Sequence, residues 1–315
     1  MAAPETAEPE IGGSEAVELQ QQVAAGDLKG LRAFAARTRE QSDWQERFFM
    51  IERVIPKCAL NVLDTACDAE PSAADLYVLR CAFFAYLASE MRGAKRADQT
   101  SDQQFYDAAH CIKDGLRDQK RASELDPKDP TAYVFAMRPL TIFAELRPRM
   151  QSAYNVVSKL APAFVMPHFI MVNADSARWG GSHEKSLTIA RNAMLNARPG
   201  SDMAACLFWA HILVWSHLLT FDKDKAKAAA YRQIPGIKKE LENAFDQWIG
   251  GGYQPRRSSI VYFHYAAFWF YAAADKARLR KALELTQGLY YPRPWGVIGI
   301  GRDVYAKAVT AASSV

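Results

Sequence analysis

Three proline-bearing turns constrain what this chain can fold into. Leu125-Asp126-Pro127, Leu160-Ala161-Pro162 and Ala197-Arg198-Pro199 each close an apolar helical stretch and open another, and their prolines stand 35 and 37 residues apart. That spacing is close to the roughly 34-residue period of helix-turn-helix repeats of tetratricopeptide type. The expected fold is all-α: a tetratricopeptide-like α-solenoid of antiparallel helix pairs joined by short loops.

Half of the 315 residues are hydrophobic and 23% are charged, so the chain can bury a large core without disulfides or metals. The net charge of +4 is spread along the sequence, with no dense Lys/Arg block and no glycine-aromatic interleaving. No nucleic-acid partner is expected on that pattern. Five cysteines, an odd number with no Cys-x-x-Cys pair, read as reduced, buried small residues. Met1 to Gly13 carries acids and prolines but neither a basic n-region nor an apolar h-region. The expectation is a cytoplasmic protein with a disordered tail at residues 1–13 and one helical-repeat domain at 14–315. Residues 203–221 and 258–274 contain no formally charged side chain. His211, Ser216 and His217 interrupt the first, and the second is short and holds His264, so both read as helices at the centre of a layered fold. No membrane partner is expected.

Capping and periodicity place the helices. Ser14 can cap a helix running to Ala25 and stopped by Gly26, and Asp27 can cap a second with Leu28, Leu31 and Phe34 on one stripe. Ser42 with Gln45 predicts a capping box, and Pro56 ends that helix. Ser72 starts a long apolar helix reaching Gly93, and Ser101 with Gln104 opens another that runs to about Leu125. The predicted core includes Leu76, Phe83, Leu87, Leu116, Leu187, Leu195, Leu213 and Phe268.

The segment Arg178-Trp179-Gly180-Gly181-Ser182-His183-Glu184 has a direct structural reading. Its glycines permit positive φ and close backbone approach at a helix end, Ser182 caps the next helix, and Glu184 sits where the helix dipole favours a carboxylate. With Arg80, Met91-Arg92-Gly93, the turn Leu125 to Pro130, Ala190-Arg191, Pro199-Gly200-Ser201 and Ala210-His211, this segment resembles a bacterial family of unassigned function with tetratricopeptide-like helices. The resemblance covers under half of the chain. It implies a helical fold and brings no reaction with it.

Few residues carry the pattern of a reaction. His211 lies inside an apolar helix, where an imidazole needs a partner, and His217 lies roughly 240° further round the same helix. Asp107, His110, Cys111 and Asp114 fall at helical spacings that can put one or both carboxylates and the imidazole on a common face, although that helix is strongly polar and a solvated face is the commoner reading. Tyr262, Tyr265, Phe268 and Trp269 form an aromatic stripe, and residues 290–295 read as an ordered loop packing over the last helices or as a lid. No His-Glu-x-x-His, nucleophile elbow or Walker loop occurs, and Gly296, Gly299 and Gly301 lack a strand-loop-helix context. No cofactor or metal is expected. Two functions remain: a non-enzymatic scaffold for a protein or peptide partner, or a binding protein or enzyme holding a small anionic ligand. The candidate ligand residues are Arg80, Glu90, Arg138, Trp179, Glu184, Arg191 and His211.

Overall fold

The structure is a computed structural model that describes residue 21 and residues 27–40, 43–254, 256–298 and 300–313. Among these are fifteen α-helices, several short 3-10 turns and no strand. No helix of the described residues is long and apolar enough to cross a membrane. The tail at 1–13, the helix expected over 14–25 apart from Gln21, its stop at Gly26, and Ser42 lie outside the described residues. The described residues divide into two compact units, one ending at Pro167 and the other beginning at His168.

The first unit contains α1 (Leu28–Arg39), α2 (Trp44–Val54), α3 (Leu60–Ala69), α4 (Ala74–Arg92), α5 (Asp102–Leu125), α6 (Thr131–Leu140) and α7 (Arg147–Leu160). Its frame is the antiparallel pair α4 and α5. Arg80 meets Asp118, Phe84 lies beneath Gly115, and the Met91 carbonyl receives the Gln104 side-chain amide, so position falls on α5 as it rises on α4. Asp27 caps α1 through the Lys29 amide, and Ser101 with Gln104 forms the expected capping box of α5. Two other starts differ from expectation. Asp43 caps α2 by accepting the Gln45 amide, while the Gln45 side-chain oxygen accepts the Val165 amide at 3.1 Å and is spent on packing. Ala73, which has no side-chain cap, precedes α4, because Ser72 is taken up in the turn that closes from Glu70 to Ala73.

Phe48 stacks on Phe135 at 4.6 Å in this core, with Phe164 edge-on at 6.1 Å. The buried Arg47 guanidinium lies between Asp75 at 2.8 Å and Asp129 at 3.0 Å, and Arg39 reaches Asp75 and Asp126. Both acids of the Pro127 turn thus fasten the first helices to the α5–α6 connection. The Thr131 amide donates to Asp129 at 2.9 Å, starting α6 without a serine or threonine cap.

α8 (Val165–Ala174) carries the boundary between the units. The second unit continues with α9 (His183–Leu195), α10 (Ala204–Thr220), α11 (Lys225–Gln233), α12 (Pro235–Gly250), α13 (Ser259–Ala272), α14 (Lys276–Leu285) and α15 (Gly301–Ser313). The two uncharged stretches become α10 and α13, and both are buried nearly all round. Trp248 stacks on Phe263 at 4.2 Å. The 290–295 loop is ordered: Trp295 is fully buried and donates its Nε1–H to His264 Nδ1 at 3.0 Å. Buried Asp202 accepts Trp248 Nε1–H at 3.1 Å, Ser259 Oγ–H at 2.7 Å and the Arg256 guanidinium at 2.6 Å, joining α12 and α13 to the start of α10.

Each proline step encloses two helices. α6 and α7 lie between Pro127 and Pro162, and α8 and α9 between Pro162 and Pro199. Of the predicted core, Leu76, Phe83, Leu213 and Phe268 are buried, and Leu87, Leu116 and Leu187 are half-buried. Leu195 is 81% exposed. The buried face of α9 is Ser186, Ala190 and Ala193, and Leu195 falls about 140° from Ala190 around the helix.

Cys58, Cys67, Cys81 and Cys206 are buried free thiols, and Cys111 is half-buried. Burial pushes the thiols of Cys58 and Cys67 up to about 12.

Candidate functional site

Two of the predicted site residues, Arg191 on α9 and His211 on α10, converge on a carboxylate that sequence reasoning did not single out. Glu240, on α12, accepts Arg191 Nε–H at 2.6 Å and Nη2–H at 3.0 Å, and its Oε2 lies 3.1 Å from His211 Nε2. The other ring nitrogen, Nδ1, is 2.7 Å from the Tyr231 hydroxyl on α11. The assignment that satisfies every group is a neutral imidazole donating Nε2–H to Glu240 and accepting Tyr231 O–H. Burial holds His211 below its ordinary value and raises Tyr231, whereas hydrogen bonds from His211 and Arg191 draw Glu240 down to about 2. Trp269 packs over the ring at 5.7 Å. Both imidazole nitrogens are therefore engaged, and the tyrosine is held as the phenol. The cluster is built to tie α9, α10, α11 and α12 together, which explains the buried imidazole in an apolar helix.

The remaining predicted residues have separate surroundings. Arg80 grips the buried Asp118 bidentately at 2.8 Å and also reaches Asp64 at 2.9 Å. Arg138 pairs with Glu52 and lies 6.0 Å over the Phe48 ring. Glu90 is exposed near the end of α4. Trp179 is half-buried in the 3-10 turn Ala177–Trp179, under the Arg178 guanidinium at 5.9 Å, and Glu184 is exposed in the first turn of α9. The turn that follows Trp179 uses its own amides. Gly181 N–H donates to Ser176, Ser182 N–H to Asp175, and Lys185 N–H to the Ser182 cap. Arg80 and Arg138 belong to the first unit and Arg191 and His211 to the second.

The metal-like face of α5 is differently employed. His110 Nδ1 lies 2.9 Å from the Tyr106 carbonyl one turn back, and its ring packs on Tyr106 at 4.2 Å. No group of three or more His, Cys, Asp or Glu residues suited to a metal ion occurs among the described residues.

The same helix borders a cavity of about 500 Å³ that opens toward the segment between α6 and α7. Its apolar part is Ala109, Ile112 and Leu116 from α5 with Phe143 and Leu146 opposite. Lys113, Arg117, Lys120 and Arg149, all exposed, stand around it with one acid, Glu145. On α5 the two sets lie on neighbouring stripes, at 109, 112 and 116 for the apolar residues and at 113, 117 and 120 for the cations. The result is an apolar groove with a cationic border. A search for dense runs of charge misses it, because the cations are three and four residues apart, and Phe143, Leu146 and Arg149 come from another part of the chain.

Comparison with protein-family models, curated proteins and solved structures finds no match for this chain.

Proposed function

We propose that this protein is a non-enzymatic helical scaffold that binds a protein or peptide partner, with the groove along α5 as its docking surface. The groove itself carries the reading: about 500 Å³ of apolar-floored space bordered by four cations and one acid. Concave, apolar sites with a few polar groups at the edge are where ligands bind, and helix pairs supply such surfaces without a catalytic constellation. The proline steps, each enclosing two helices, support a tetratricopeptide-like arrangement. The proposed resemblance to helical-repeat proteins of unassigned function points the same way.

The alternative of a small anionic ligand held by Arg191 and the amides near Trp179 has less support. Arg191 is held bidentately by Glu240, and the turn amides are bonded to carbonyls and the Ser182 hydroxyl.

The test is selection from a displayed peptide library on the wild-type protein, with counter-selection on Leu116→Asp. Leu116 is half-buried in the groove, and the variant is first shown to be folded by circular dichroism. Peptides that bind wild type and lose at least about tenfold affinity on the variant, about 1.4 kcal/mol, support the reading. Enrichment only of peptides indifferent to Leu116 sinks it.

A further inference from the structure

We propose that the occupant of the α5 groove is an acidic amphipathic helix contributed by a partner protein. The inference rests on the groove being the docking surface and adds the chemistry and conformation of what docks there.

Two observations carry it. The apolar residues Ala109, Ile112 and Leu116 repeat at helical spacing, and the span from 109 to 120 covers about three turns, or roughly 16 Å of axis. A helix lying along α5 meets such a row with its own anchors at i, i+3 or i+4, and i+7.

The border is cationic at the same period. Lys113, Arg117 and Lys120 run along one side and Arg149 comes from α7, against Glu145 alone in the lining. Acids flanking the apolar stripe of a docked helix complement this border, whereas lysines in those places meet like charge. Arg117 also lies 3.3 Å from Asp114 and Lys120 3.8 Å from Glu124, but these are exposed pairs within one helix. Such pairs contribute little, and a docking carboxylate can displace them.

The probe is a fluorescein-labelled 18-residue Leu/Glu amphipathic helix, compared with the same peptide carrying Gln at every Glu and read by fluorescence anisotropy. The Glu peptide is expected to bind, to weaken as salt rises, and to exceed the Gln peptide by about tenfold or more. Lys113→Glu with Arg117→Glu, both at exposed positions, is expected to weaken the Glu peptide by at least about tenfold and to admit a Leu/Lys analogue. Equal binding of Glu and Gln peptides, still dependent on Leu116, overturns the acidic occupant and leaves the docking groove intact. Tighter binding of an 18-nucleotide single-stranded RNA or of phosphatidylserine vesicles, lost in the same double variant, overturns the peptide occupant. If neither these peptides nor library-selected ones depend on Leu116, the groove reading itself falls.

Discussion

Glu240 and His211 are joined at 3.1 Å, so the same carboxylate that neutralises exposed Arg191 also fixes the tautomer of an imidazole only 1% exposed. An imidazole ordinarily titrates close to neutral pH, yet here both nitrogens are engaged and burial favours the uncharged ring. The cluster therefore links α9, α11 and α12 to one buried side chain on α10.

That arrangement sets an acid limb for stability. Below 6.5 the unfolded chain takes up a proton at His211 more readily than the buried ring does, so stability declines as pH falls. Glu240 acts in the same direction: its contribution is complete above the ordinary 4.5 and is lost as pH falls toward about 2. Glu240→Gln should lower the melting temperature at pH 7, and the gap to wild type should close between pH 4.5 and 2. A gap that stays constant over that range in thermal melts is evidence against the ionised carboxylate as the holding group.

Gly180 and Gly181 should respond differently to alanine. Gly180 has φ +81° and open space where a Cβ would go, so Gly180→Ala should cost about 1 kcal/mol of backbone strain. A Cβ on Gly181 would lie 2.1 Å from the Asp175 carbonyl oxygen, so Gly181→Ala must break the turn and should cost more than Gly180→Ala. Ser182→Ala should cost about 1 kcal/mol through the lost cap. Urea denaturation of the three variants ranks them, and a larger loss for Gly180→Ala contradicts the close approach.

Ala274 offers a gain. It follows α13 with φ 61°, its amide bonds the Tyr271 carbonyl, and the Asp275 amide bonds Phe270, the pairing of a Schellman end that glycine usually occupies. Ala274→Gly should stabilise by about 0.5–1 kcal/mol, since the relief of the left-handed Cβ exceeds the added freedom of the unfolded chain. A lower denaturation midpoint would contradict it.

Arg80 should behave as a structural residue. Its partner Asp118 is 1% exposed, and removing one member of a buried pair leaves the other uncompensated. Arg80→Ala should cost about 3 kcal/mol or more while leaving peptide affinity of the residual folded protein unchanged. Unchanged stability with lost binding would return Arg80 to the candidate ligand residues.

Much of the helical frame was legible because it rests on local rules. Proline turns, the Ser101–Gln104 box and the Asp27 cap are decided within four residues of chain. Leu195 was misplaced because apolarity alone does not say which side of α9 is covered, and Ser186, Ala190 and Ala193 form that side instead. The partners of His211 were illegible for a different reason. Glu240 lies 29 residues away and Tyr231 20, on two other helices, and nothing local to either helix says which side chain of another it meets. The groove combines one helix stripe with residues beyond α6, and no local period spans that gap.

The placement of the thiols sets how this protein meets an oxidant. Burial raises all five thiols, but Cys58, Cys67, Cys81 and Cys206 are buried, while Cys111 is half-buried on α5 beside Ile112. Thiol oxidation of the native molecule therefore starts at a single sulfur and can join at most two copies through Cys111, whereas denatured chains expose five. Covalent dimers stopping at two, against ladders of larger species, distinguish damage to the folded protein from damage after unfolding.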